Sequence, residues 1–452
     1  MTAENTLDCE TLTLDSGAKV VVPATPSGMT RFVLQEQGGW FEPELAFVPS
    51  ILTDDSCSID VGANYGLYTL ALAHHSRPDG QVVAIEPTPS TAACLRATVD
   101  ANQLTGTTVW EMALSKESGQ TQLHTYPNSE LNTLGGAGVK PGAVVQTVKV
   151  RTLDDVYAEL GWSRLDFLKL DAEGEEQRIA EGGRQTLEAT DPLLLFELKH
   201  GGNLNTPLID LLGDWGYVCY RLIPELGALT PFDQSRPLDR FQLNLFCCKA
   251  PRADALRASG LLLDENPPPN LPDPPPALPW VQDLPEPAGV DQAIFRACQV
   301  DADPTADAAD RWASLHGVRA AVAQRLGDRA APLELLSTAA RVAFASGERA
   351  LGVDLLAALI QRIQGGEPFV PRYRFFPATK RFDAIPVPEN LRDWFVASAL
   401  ERYLKEHAFS AYFSRNKSAA ILRYLTELGF ADPALLRRAS ALERLQQAVA
   451  QA

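Results

Sequence analysis

No stretch of this chain approaches the roughly 18 successive apolar residues that a membrane-crossing helix requires. Its first residues, Met1, Thr2, Ala3, Glu4 and Asn5, supply neither the basic start nor the apolar core of an export signal. A cytoplasmic protein without a membrane span is expected. The seven cysteines, Cys9, Cys57, Cys94, Cys219, Cys247, Cys248 and Cys298, include no C-x-x-C pair and are odd in number, so reduced thiols are expected throughout. Cys247 and Cys248 adjoin in a strand-like run and would point to opposite faces, which argues against zinc there. Positive charge is also scarce: 40 Lys and Arg face 57 Asp and Glu, a net charge of −17. The shortage is confined to the front, because residues 291–452 hold 21 basic and 18 acidic side chains. An acidic front repels phosphate backbones, which disfavours a nucleic-acid substrate but not a cationic small molecule.

The chain has length enough for two or three domains, and its character changes partway along. From residue 57 to about 250, strand-like and helix-like patterns alternate, the signature of an α/β domain with a mostly parallel sheet. Seven strands are expected: one from Ser58, then 81–85, 108–114, 165–171, 193–198, 217–222 and 241–248, the last two as a hairpin-like pair. Helices are expected at 67–76, 90–102, 175–187 and 204–215, with an N-terminal arm of small strands and a helix over 1–56. Residues 251–290 read as a linker, because Pro267–Pro269 and Pro274–Pro276 permit neither helix nor central strand. Beyond it, residues 291–452 turn to Ala, Leu and Arg with helical spacing, at 308–326, 333–345, 349–363, 390–407 and 419–428. An all-helical second domain is expected there.

The run Ser58-Ile-Asp-Val-Gly-Ala-Asn-Tyr-Gly-Leu-Tyr-Thr69 reads as a buried strand, a glycine turn and a helix. Gly62 and Gly66 permit a tight turn and close backbone approach, and the helix that follows aims its amides at a bound group. The D-x-G-x-x-x-G spacing departs from the dinucleotide fingerprint. A carboxylate beside the turn suits an amino-acid tail and a sulfonium better than a pyrophosphate, so S-adenosylmethionine is the expected cofactor. Glu86, 20 residues beyond Gly66 and followed by Pro87, ends the next strand, where a carboxylate can accept both ribose hydroxyls.

Asp171, Glu173, Glu197, Lys199 and His200 fall at the carboxyl ends of later strands, where ligands of open α/β sheets bind. Methyl transfer to oxygen needs a positioned acceptor and a base, and His200 has the most suitable unperturbed pKa. Asp171 serves to orient the acceptor or hold the methionine amino group, and otherwise caps a helix. Asp171, Glu173 and Glu197 together have the chemistry to hold a divalent ion, but cofactor binding and helix electrostatics account for them, and no metal is expected. Residues 126–146, with Gly135, Gly136, Gly138 and Gly142, read as a long acceptor-binding loop.

Asp60–Gly66 and Glu86-Pro87, with Thr152-Leu-Asp-Asp155 and Phe167-Leu-Lys-Leu-Asp-Ala-Glu-Gly-Glu-Glu176, together resemble the FkbM family of S-adenosylmethionine-dependent methyltransferases. The resemblance spans roughly residues 38–197, and Ala172 stands where a valine is more usual. It implies a class I methyltransferase fold, Rossmann-like with seven mostly parallel strands. The implied activity is O-methylation of a sugar hydroxyl on a bacterial glycan or glycosylated metabolite. N-methylation of peptide side-chain amides is the alternative, as is a scaffold that works through its helical domain. The implied cofactor contacts are Asp60, Gly62, Ala63, Asn64, Tyr65, Gly66, Thr69, Glu86, Pro87, Ala113 and Asp171, and the implied catalytic residues His200, Asp171 and Glu173. Residues 367–373 and 381–383 resemble a helical extension of some bacterial members, which points to a glycan, self-association or a protein partner.

Overall fold

Apolar and β-branched residues dominate the short runs Cys57–Val61 (β1), Gln81–Ile85 (β2), Thr107–Trp110 (β3), Phe167–Leu170 (β4), Leu193–Glu197 (β5), Val218–Ile223 (β6) and Asn244–Cys248 (β7). Such runs suit strands covered on both faces. In the computed structural model, which describes residues 8–25, 28–75, 80–126, 134, 143–200, 203–267 and 283–451, these strands form one sheet in the order β3-β2-β1-β4-β5-β7-β6. The pairs β1–β2, β2–β3, β1–β4 and β4–β5 are parallel, and β7 runs antiparallel to both β5 and β6. The direction of winding reverses between β1 and β4, which opens a crevice at their carboxyl ends. This is the class I methyltransferase arrangement. An eighth strand, Ala228–Pro231, follows β6 at that edge.

The chain divides into two compact units, one of residues 1–221, 243–258 and 444–452 and one of residues 222–242 and 259–443. In the first, Leu67–His75 and Pro89–Ala101 are helical, as the spacing predicts, while residues 175–187 split into Glu176–Gly182 and Arg184–Thr190 at a Gly-Gly step. The expected strand 108–114 stops at Trp110. Ala113–Leu114 instead pairs with Val150–Arg151 in a separate sheet, whose other pair is the antiparallel Gly119–Thr125 and Val144–Arg151. Leu123, Val148 and Val150 are buried there on one face, the alternation of a half-covered hairpin in a segment where no strand is expected from the sequence. Of the expected loop 126–146, residues 127–133 and 135–142 lie outside the described residues. Ala250–Ala258 is helical within the expected linker, whose prolines from Pro268 to Pro279 also lie outside the described residues.

The cysteine expectation fails at one pair. Cys219 on β6 and Cys247 on β7 are direct cross-strand partners and are joined as a disulfide, and Cys9, Cys57, Cys94, Cys248 and Cys298 are free. Strand periodicity alone cannot disclose which cysteines of two antiparallel strands face each other, because register is set by tertiary packing.

The second unit is helical, with Val290–Ala302, Ala308–Gly317, Arg319–Gly327, Leu333–Ala345, Arg349–Gln364, Leu391–Glu406 and Ala411–Glu427 among its elements. Every residue of Leu333–Ala345 is buried, which marks it as the central helix. Arg341, inside it, is tolerated because both guanidinium arms reach Asp383, one at 2.7 Å. Among the described residues no helix is long and apolar enough to cross a membrane.

Candidate functional site

The β1-helix turn closes against the end of β4. Gly62 has φ +74°, and a Cβ built on it would lie 1.7 Å from the Asp171 carbonyl oxygen, so a side chain is excluded on both counts. Gly66, at φ +94°, lies against Leu95 of the helix after β2. The amides of Gly62 and Ala63 both donate to the Ile85 carbonyl, tying the turn to the end of β2.

Glu86 completes that tie. Its carboxylate accepts from the Asn64 amide at 3.1 Å and the Thr88 amide at 2.9 Å, and Asn64 itself sits at φ +47°. The Thr88 side chain bonds it too, and with about four lone-pair sites the carboxylate still has room to receive a ligand hydroxyl. Asp60 is fully buried; one oxygen accepts from the Thr69 hydroxyl at 2.6 Å, and the other, Oδ1, has no hydrogen-bond partner. These features fit the expected cofactor: a side-chain-free cradle, a pinned carboxylate at the ribose position and a buried anion beside the turn. Tyr65 is buried, Pro87 half-buried, and Ala113 is buried at the start of the second sheet rather than at the end of β3.

Lys169, the third residue of β4, is almost fully buried in an apolar strand. Its Nζ donates to Asp171 Oδ2 at 2.8 Å, lies 3.8 Å from Asp60 Oδ1 and sits 4.7 Å above the Tyr68 ring. Burial alone would strip its proton, but the Asp171 and then the Asp60 carboxylates outweigh that and raise its pKa. Lys169 is a fixed cation, not a base. The Tyr68 hydroxyl donates to Glu42 at 2.7 Å, and Glu42 also accepts from Trp40 Nε1 and Asn244 Nδ2, each at 2.8 Å. The arm, β1, β4 and β7 thus meet at one constellation.

Glu173 has φ +52° in the bend after β4, and Glu176 folds back to accept from the Ala172 and Gly174 amides at 2.8 and 3.1 Å. Glu197, ending β5, has an unpartnered buried Oε2; burial first, then Asp171 and Glu173, raise its pKa far above the usual carboxylate range. That shift favours the protonated, hydrogen-bond-donating form over a general base. The backbone of His200 lies in a two-stranded ribbon, Lys199–His200 with Asn203–Leu204, just beyond β5; its side chain lies outside the described residues. Among the described residues no group of three or more His, Cys, Asp or Glu is placed to hold a metal ion.

Sequence reasoning passed over Glu42, Glu44, Tyr68, Lys169 and Asn244. Lys169 carried a signal, since a lysine inside an apolar strand flanked by carboxylates must be paired to be buried. Glu42 and Asn244 carried none, because they reach the site only through tertiary packing.

The buried carboxylates give the first unit a pH dependence. Burial above all pushes Glu86 up to about 7 and Glu44 up to about 8, and raises Glu197 as well. Each binds its proton more tightly folded than unfolded, where the pKa is ~4.3. For Glu86 and Glu44 this stabilisation is therefore complete below about pH 4 and is lost as pH rises through 7 to 8, by on the order of a few kcal/mol. The cofactor-free protein should show a higher melting midpoint for this unit at pH 5.5 than at pH 8, and Glu44→Gln should flatten the difference. Equal midpoints for the wild type would contradict it.

Residues 60–219 match the family described as Methyltransferase FkbM domain. The 31-O-demethyl-FK506 methyltransferase FkbM of Streptomyces tacrolimicus is 32% identical over 152 residues, 27% of this chain and 57% of that protein. Methyltransferase sdnD of Sordaria araneosa is 29% identical over 153 residues, 27% of this chain and 59% of that one. The chain thus spans under two thirds of the length of these curated relatives. Among solved structures, the methyltransferase FkbM of Methylobacillus flagellatus KT is 20% identical with a TM-score of 0.29, covering 43% of this chain and 44% of that one. A SAM-dependent O-methyltransferase of Thermotoga maritima is 14% identical with a TM-score of 0.29, covering 53% and 77%. Motif, sheet order and sequence match agree on the front of the chain, whose residues 60–219 match the FkbM domain of S-adenosylmethionine-dependent methyltransferases.

Proposed function

We propose that the protein is an O-methyltransferase whose acceptor is a sugar hydroxyl on a glycan or glycosylated metabolite, working in the cytoplasm. The observation that supports it is the composition of the crevice at the strand ends. Asp171, Glu173 and Glu42 supply acceptors, while Glu197, whose raised pKa favours the protonated form, supplies a donor. A polyol, with donor and acceptor on every hydroxyl, matches such a wall, whereas an anionic acceptor would be repelled. The domain divisions proposed are a methyltransferase domain over 57–250 preceded by its arm, and a helical domain over 291–452 beyond a proline-rich spacer.

S-adenosylmethionine, when bound, supplies a methyl group on a sulfonium, already electrophilic. Asp60, Gly62–Gly66 and Glu86 would hold it, with the turn fixing its position through the Ile85 and Glu86 ties. The protein's remaining tasks are to hold the acceptor hydroxyl in line and to take its proton. Asp171 and His200 are the proposed groups for the second task. Asp171 is held by Lys169 at the end of β4, and His200 follows β5, the neighbouring strand. Glu173, in the bend between β4 and the next helix, is proposed to orient the acceptor.

Incubating the purified chain with methyl-labelled cofactor and fractionated extract of its host should place label on oxygen in a carbohydrate fraction. His200→Ala should lower turnover ~10²-fold with cofactor affinity unchanged if His200 is the base. Label on peptide side-chain nitrogen would overturn the acceptor assignment, and unchanged turnover would move the role to Asp171 or to simple positioning of the acceptor.

A further inference from the structure

The helical unit contains a cavity of about 360 Å³, the size of a small-ligand site, whose polar wall is built from Arg236, His316, Arg319, Ser346 and Glu348 over a floor that includes Val322 and Leu351. Two guanidiniums converge on one carboxylate oxygen. Arg319 pairs with Glu348 Oε1, and Arg236 Nη2 lies 3.9 Å from the same atom. With two cations to one anion, and an imidazole alongside, the wall keeps a surplus of positive charge.

Arg319 is held rigidly for a surface-type residue. Its side chain is 14% exposed, its guanidinium carbon lies 5.9 Å from the Trp312 ring centre, and the Trp312 ring lies 5.2 Å from that of His316. Trp312 is itself fixed, its Nε1 donating to the Asp264 carbonyl at 2.7 Å. Yet the Arg319 Nε–H is buried without a hydrogen-bond partner. Burial first, and Arg236 besides, make its charge harder to keep, against the pull of Glu348. A preorganised guanidinium with an unused buried donor, a second guanidinium alongside and open space between them is the arrangement that binds an oxyanion.

We propose that this cavity is a binding site for a small molecule of monosaccharide size that carries one carboxylate or phosphate, with Arg319 and Arg236 gripping the oxyanion and Glu348 acting as the internal counter-ion that the ligand displaces. The site belongs to the helical unit and does not depend on methyl transfer.

Calorimetric titration of the full chain with sodium glucuronate, with glucose 6-phosphate and with neutral glucose tests this. Saturable one-site binding is expected for at least one of the two anions and none for glucose, with affinity falling as sodium chloride is raised. Which anion binds tells a carboxylate ligand from a phosphate one. Arg236→Gln, at a side chain 51% exposed and therefore safe for folding, should weaken binding roughly tenfold, and Glu348→Gln should tighten it. The proposal is overturned if neither anion binds saturably to the wild type or to Glu348→Gln, if glucose binds as well as the anions, or if Arg236→Gln leaves the affinity unchanged.

Discussion

Replacing Gly62 with alanine is expected to lower the affinity for S-adenosylhomocysteine at least ~10²-fold while the helical unit stays folded. Two costs combine at this position. A φ of +74° disfavours any L side chain by about 1–2 kcal/mol. The larger cost is steric: the new Cβ would sit 1.7 Å from the Asp171 carbonyl, and backbone cannot swing aside as a side-chain tip can. The turn and the end of β4 must separate by about 1 Å or more, which also pulls on the amide pair that Gly62 and Ala63 donate to Ile85. A parallel Gly161→Ala change, at a helix end with nothing near its missing Cβ, controls for general glycine effects. Near-native affinity in Gly62→Ala would mean that the cradle is not where the ligand sits.

Lys169→Met is expected to destabilise the first unit by about 3–5 kcal/mol, the range for breaking a buried ion pair from one side. Asp60 has no exposed surface and its Oδ1 has no hydrogen-bond donor, so Lys169 is its one nearby cation among the described residues. Without that cation the Asp60 carboxyl, already raised by burial, must hold its proton or leave the core. The loss should therefore be larger at pH 8 than at pH 5.5, and Asp60→Asn should recover part of it in the double variant. Urea unfolding at both pH values measures this; additive, pH-independent losses would show that the two side chains do not act together.

The sequence discloses the sheet well because each of its strands is a short apolar run between turn signals, and because D-x-G-x-x-x-G and the glutamate 20 residues later sit at strand ends by spacing alone. The helix Leu333–Ala345 was legible to the residue for the same reason, a strong pattern between Pro332 and Gly347. Three things were not legible. The hairpin Gly119–Thr125 with Val144–Arg151 has alternating patterning, but 18 residues separate its strands, far beyond a tight turn. The Cys219–Cys247 disulfide depends on register. The contributions of Glu42 and Asn244 depend on distant segments converging, the two partners lying 202 positions apart in sequence. Lys169 was readable in principle, as a charge inside a buried strand, and its role follows from the same rule that makes buried cations seek carboxylates.

The central claim, that β1, β2 and β4 build an S-adenosylmethionine cradle, is tested most directly by calorimetric titration of the full chain with S-adenosylhomocysteine. One site per chain is predicted for the wild type, with binding strongly weakened by Glu86→Ala, which removes the acceptor that ties Asn64 and Thr88 together. A folded wild type that does not bind, or a Glu86→Ala variant that binds as tightly as the wild type, would contradict it.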